Sequence, residues 1–151
     1  MNHCLFLDCA GMENWQWEDV VPEKMRITQV EGDRMTGPST YALELAAGFA
    51  FPVHRHTHDY NAIVCKGQHK HWHQGKEGEA TVMNVGDTWF TAGGETTWHA
   101  DSNPGLESSI VLVKMKGVSD AIYPGNYTQI QTYMSCLDGV FKLIATTSSY
   151  T

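Results

Sequence analysis

The sequence predicts an all-β fold. Short extended segments alternate with glycine-, proline- and asparagine-rich turns, no 12-residue segment keeps a 3.6-residue hydrophobic period, and an H-x-H-x-H run imposes a two-residue period. At 151 residues the chain predicts one domain over 1–151. A 42% hydrophobic and 18% charged composition is enough to build a proper core.

The elements follow in order. A short turn is expected near Gly11–Asp19, then strands over Met25–Glu31, Thr40–Ala46, Phe49–His56, Asn61–Lys66 and Gln68–Gln74. Further strands are expected over Ala80–Val85, Thr88–Ala92, Thr96–Asp101, Ser108–Lys116, Tyr127–Met134 and Val140–Thr146. Gly32-Asp33, Gly67, Gly86-Asp87, Gly93-Gly94 and Asn103-Pro104-Gly105 mark turns, because these residues tolerate left-handed backbone or cap their own chain. Such spacing predicts an antiparallel sandwich or jelly-roll barrel, whose closure hides sheet edges.

Charge and cysteine usage narrow the function. Ten Lys and Arg against 17 Asp and Glu give a formal charge of −7, which repels nucleic acid and anionic membrane surfaces. The N-terminus lacks a basic lead-in and a long apolar run, so a cytoplasmic protein is expected. Cys4, Cys9, Cys65 and Cys136 lack CxxC spacing and read as free thiols, with Cys65 a small core residue. No GxGxxG, P-loop or Ser-His-Asp order is present, and Asn126-Tyr127-Thr128 reads as a turn.

Histidine clustering is the strongest chemical signal. Seven of the eight histidines lie between His54 and His99, and imidazole is a common ligand for zinc, copper, iron and nickel. In "PVHRHTHDY", residues two apart on a strand share a face, which aligns His54, His56 and His58. His58 lies beyond the H-x-H pair near a loop, where a structural role competes with one supporting the site or touching substrate. "QHKHWHQ" aligns His69, His71 and His73 opposite Lys70 and Trp72, either toward a cavity or on a polar surface. Trp89, Phe90, Trp98 and Tyr60 are candidates for pocket walls.

Gly48 opens G-x5-H-x-H, Gly67 closes the following strand, and "GDTWFTAGGETTWHADSN" ends with His99 followed by Asn103. These blocks resemble the two motifs of the cupin superfamily over about 40–116. The resemblance implies a jelly-roll barrel with His54, His56 and His99 as metal ligands. Ala92 replaces the second motif's proline, and two extra residues precede His99. The first motif's glutamate is missing: one count places Asn61 there, the other Tyr60. Alternation groups Asn61 with Ile63 and Cys65 as an interior set, which favours Asn61.

The context "HTHDY" is similar to that of acetylacetone-cleaving and 2,4′-dihydroxyacetophenone dioxygenases and of cupin domains in zinc-binding anti-sigma factors. Three neutral imidazoles leave a divalent charge uncompensated and favour an anionic chelate such as an enolate. The expectation is therefore a non-haem Fe(II) dioxygenase that cleaves a small β-diketone or hydroxyketone through a metal-bound enolate. Asn61, Tyr60 and His71 are the candidate catalytic residues. Zinc, nickel or manganese hydrolysis or isomerisation, and non-enzymatic binding or sensing, are the alternatives. The partners expected are a small substrate and a second copy of the chain, with residues 117–151 available for dimer contact.

Overall fold

The computed structural model describes residues 8–124 and the backbone of Lys142 and Leu143. Antiparallel strands form two main sheets, in keeping with a jelly roll. The larger has the order β1-β2-β3-β9-β5-β7, from Glu18–Val21, Met25–Gly32, Ser39–Leu45, Ser109–Met115, Tyr60–Lys66 and Thr88–Thr91 respectively. The smaller has the order β4-β8-β6, from Ala50–His54, His99–Ser102 and Lys70–His73. A short parallel pair joins β10 (Asp120–Ala121) to β11 (Lys142–Leu143).

Alternation sorts the strands into two faces. On β3, β5 and β9, Tyr41, Leu43, Leu45, Tyr60, Ala62, Val64, Val111, Val113 and Met115 point into the main core. The opposite face buries Ala42, Cys65, Ile110 and Leu112 beneath Cys9, Met12, Trp15 and Trp17 of the N-terminal segment. Coverage on both faces explains why β9 reads as a nearly continuous apolar run rather than an alternating one. Where that face is more open, Arg26 donates to Glu44 at 2.9 and 2.6 Å across β2 and β3.

Cys9 and Cys65 form a disulfide across 56 residues, which corrects the expectation of free thiols for these two. Their Cα atoms lie 5.7 Å apart because the N-terminal segment docks on β5, a long-range approach that cysteine spacing does not encode. Such a bond persists in oxidising surroundings. Among the described residues no helix is long and apolar enough to cross a membrane.

Several boundaries move. The strand expected over Ala80–Val85 is absent: after a 3-10 turn at Glu77–Glu79, only Met83 bridges to His69, and Val82 and Val85 stay exposed. The strand expected from Thr96 begins at His99, and that expected to reach His56 ends at His54. Beyond it, Arg55 exchanges 2.9 Å backbone hydrogen bonds with Ile122. The strands β1 and β10 were not foreseen. The strand expected over Tyr127–Met134, most of that over Val140–Thr146, the turn at Asn126-Tyr127-Thr128, Cys4 and Cys136 lie outside the described residues.

Candidate metal centre

The smaller sheet and the segment after it bring three histidines together. His54 on β4 sits opposite His99 on β8, and His56 follows one alternation later. Ring centroids are 4.4 Å apart for His54–His99, 5.0 Å for His54–His56 and 5.2 Å for His56–His99. One ligand atom from each lies within 4.8 Å of the others, and all three residues are buried.

Backbone carbonyls orient each ring. His54 Nδ1 meets the Pro52 carbonyl at 2.8 Å, His99 Nδ1 meets that of Thr97 at 3.0 Å, and His56 Nδ1 meets that of Asp120. A carbonyl only accepts, so each Nδ1 carries the proton and each Nε2 keeps its lone pair. Burial holds His54 and His56 down to about 4 and His99 to about 3, so the rings are neutral near pH 7. His99 Nε2 is buried and has no hydrogen-bond partner among the described residues. A buried lone pair with no donor is unfavourable unless a cation lies beside it, and the ligand atoms of the three rings lie within 4.8 Å of one another, so the donor set fits a divalent metal.

Asp101, two residues beyond His99 on the same face, escaped sequence reasoning although the alternation that selects His99 also selects it. Its Oδ1 accepts from His69 Nε2 at 3.0 Å and from His71 Nδ1 at 2.7 Å. Its Oδ2 lies 3.9 Å from His54 Nε2. Burial alone would push this carboxyl up, but the charge of His71 and the hydrogen bonds from His69 and His71 hold it well below the usual range. The site is therefore not surrounded by neutral groups alone, which revises the charge expected from the ligand list.

The remaining candidates separate clearly. Tyr60 faces inward, its ring 5.4 Å from that of His56 and 6.0 Å from that of His99. Burial raises its phenol well above the usual range, and Trp89 Nε1 approaches its hydroxyl at 3.5 Å. Asn61 does not join the site. Alternation turns it to the other face of β5, level with Phe90 and Lys114, which corrects its assignment to the interior. The interior set is Tyr60, Ala62 and Val64, because Cys65 belongs to the outer layer under the N-terminal segment.

His71 binds Asp101 and, through Nε2, Thr91 Oγ1 at 3.2 Å. His69 is buried, Trp89 stacks on both rings at 4.9 and 5.7 Å, and His73 is exposed. His58 packs against Gly117, with Nδ1 3.3 Å from the Val118 carbonyl, and so braces the loop. Phe90 is exposed, and Trp98 lies under the Arg55 guanidinium at 5.2 Å. His54, His56, Tyr60, His69, Trp89 and Asp101 border a cavity of about 40 Å3, otherwise walled by apolar residues of the core.

Two motif positions serve structure. Asn103 is buried, and its Nδ2 donates to the carbonyls of Leu45, Ala46 and Glu107 at 3.1, 3.2 and 2.8 Å. Gly67 has φ of 68°, and a Cβ there would meet the Ser108 carbonyl at 2.7 Å.

No protein-family model matches the chain. No curated protein matches it in sequence. Solved structures do match. An RmlC-like cupin from Shewanella frigidimarina has 17% identity and TM-score 0.57, with 71% of this chain and 86% of that chain covered. KdgF from Halomonas sp. has 19% identity and TM-score 0.55, covering 69% and 88%. DMSP lyase DddQ from Ruegeria pomeroyi DSS-3 has 14% identity and TM-score 0.52, covering 70% and 57%. The chain has the cupin jelly-roll fold.

Proposed function

We propose that His54, His56 and His99 hold a divalent cation and that the protein is a metal-dependent enzyme, specifically a non-haem Fe(II) dioxygenase of small β-diketones or hydroxyketones. The observation that carries this reading is the convergence of three buried imidazoles, each fixed by an Nδ1–H to a backbone carbonyl. A bound Fe(II) would supply Lewis acidity toward a chelating oxygen pair and electrons for dioxygen.

The chain supplies the rest. The carbonyls of Pro52, Thr97 and Asp120 fix the ligand rings before any cation arrives. Apolar walls from Leu43, Leu45, Val111 and Val113 restrict water and limit the substrate to a small molecule. Tyr60 keeps its proton at neutral pH and can donate a hydrogen bond to a developing oxyanion. The stoichiometry needs no further reductant: RCOCH2OH and O2 give RCOOH and HCOOH as the C–C bond breaks and both oxygen atoms enter products.

Oxygen uptake by the anaerobically Fe(II)-loaded protein tests this reading on a panel of small diketones and hydroxyketones. One O2 consumed per substrate cleaved is expected; no uptake above the metal-free control would refute the dioxygenase. A second reading, zinc, nickel or manganese chemistry without O2, draws on the carboxylate of Asp101 beside His54 and on the fold shared with a DMSP lyase. Carbon-acid turnover under nitrogen would favour it.

A further inference from the structure

Asp101 has one oxygen committed and one not. Oδ1 receives both imidazole N–H groups, from His69 at 3.0 Å and from His71 at 2.7 Å. The Thr91 hydroxyl anchors the far side of His71 at 3.2 Å, and Trp89 stacks on both rings. The carboxylate is thereby fixed in orientation. Oδ2 takes part in no hydrogen bond among the described residues, and its residue borders the cavity. Asp101 also falls outside the group of ligand atoms that lie within 4.8 Å of one another. Its second oxygen, 3.9 Å from His54 Nε2, therefore stands at the edge of the cation site without belonging to that group.

We propose that Asp101 Oδ2 accepts a hydrogen bond from a substrate hydroxyl, so that the site takes α-hydroxyketones in preference to β-diketones. The inference rests on the metal reading above and narrows it to one substrate class. An ionised carboxylate only accepts, so it needs a donor opposite it. A hydroxyketone brings a hydroxyl next to its chelating carbonyl. The enolate of a β-diketone brings two electron-rich oxygens and no donor, and a buried carboxylate beside them is repulsive. Asp101 is in this account a substrate-binding residue, with His69 and His71 positioning it.

Asp101→Asn separates the roles. Its Oδ1 keeps both histidine hydrogen bonds, while an NH2 group replaces Oδ2 and turns an acceptor into a donor. The Co(II)-loaded wild type and D101N would be titrated with hydroxyacetone, methoxyacetone and acetylacetone, with binding followed by the visible cobalt bands. Methoxyacetone keeps the oxygen and removes only the donor. Hydroxyacetone should bind the wild type about tenfold more tightly than methoxyacetone, as a charge-assisted hydrogen bond predicts. In D101N that ratio should fall to about one or invert, with acetylacetone binding retained or tightened.

An unchanged ratio in D101N would overturn the proposal. So would a loss of Co(II) affinity beyond about tenfold with the ratio intact, which would make Asp101 a metal ligand. If D101N failed to fold, the wild type alone would decide, since preference for methoxyacetone or acetylacetone contradicts the proposal. Absence of cobalt bands in the wild type would instead refute the metal centre on which it rests.

Discussion

Nε2 of His54 lies 3.9 Å from Oδ2 of Asp101, with a lone pair on the one facing a carboxylate oxygen on the other. Two electron-rich atoms held at this separation in a buried site require positive charge or a proton donor nearby. The surrounding hydrogen bonds fix both, so the chain maintains the arrangement instead of relaxing it.

Acid should release metal and stability together. Burial holds His54 and His56 down to about 4 and His99 to about 3, whereas unfolded imidazoles titrate near 6.5. Between those values the unfolded state binds more protons, so stability is full above pH 6.5 and falls as the pH drops toward 4. Metal retention after dialysis and the melting temperature, followed from pH 8 to 4, should decline in this window. A flat profile down to pH 4.5 would contradict the buried neutral trio.

Asn61→Glu should leave metal affinity within about twofold of wild type, because its side chain stands on the outer face of β5. Tyr60→Phe should preserve metal content yet lower turnover about tenfold or more, through loss of the inward hydroxyl. Competition against a chromophoric chelator and steady-state kinetics check the pair. Tightened metal binding in N61E would place Asn61 inside after all.

Gly93 packs against the backbone of Thr57 and His58, and its N–H donates to Asp59 Oδ1 at 2.8 Å. A Cβ at Gly93 would collide with that backbone and move the segment carrying His56. Gly93→Ala should destabilise the fold by about 1–3 kcal/mol and weaken metal binding. Chemical denaturation and metal competition measure both, and wild-type values in each would show that the loop yields freely.

Reducing Cys9–Cys65 should cost up to about 4 kcal/mol, the chain-entropy value for a loop closed over 56 residues. Urea denaturation with and without a dithiol reductant tests this. Equal midpoints would mean that Met12, Trp15 and Trp17 hold the N-terminal segment without the bond.

Much of this arrangement is legible in the sequence. Period-two alternation located β2, β3, β5, β7 and β9 to within a residue or two, and the paired histidine motifs selected the three residues that converge. Asn61 and Tyr60 are where the pattern is ambiguous. Both faces of β5 are apolar, so alternation defines two sets but not which of them is inside. The covering of Cys65 by a segment more than fifty residues earlier decides it, and that contact has no local signature. Asp101 was missed for another reason: a lone acid after a histidine is ordinary, and its partners His69 and His71 become visible only when β6 pairs with β8.

Elemental analysis of protein purified without an affinity tag or chelator, beside the His99→Ala variant, tests the central claim most directly. The account predicts about one divalent metal ion per chain in the wild type and loss of it in H99A, which should remain folded because a core of this size does not depend on the ion. Equal metal content in the two proteins, or none in either after reconstitution with Fe(II) and Zn(II), would contradict it.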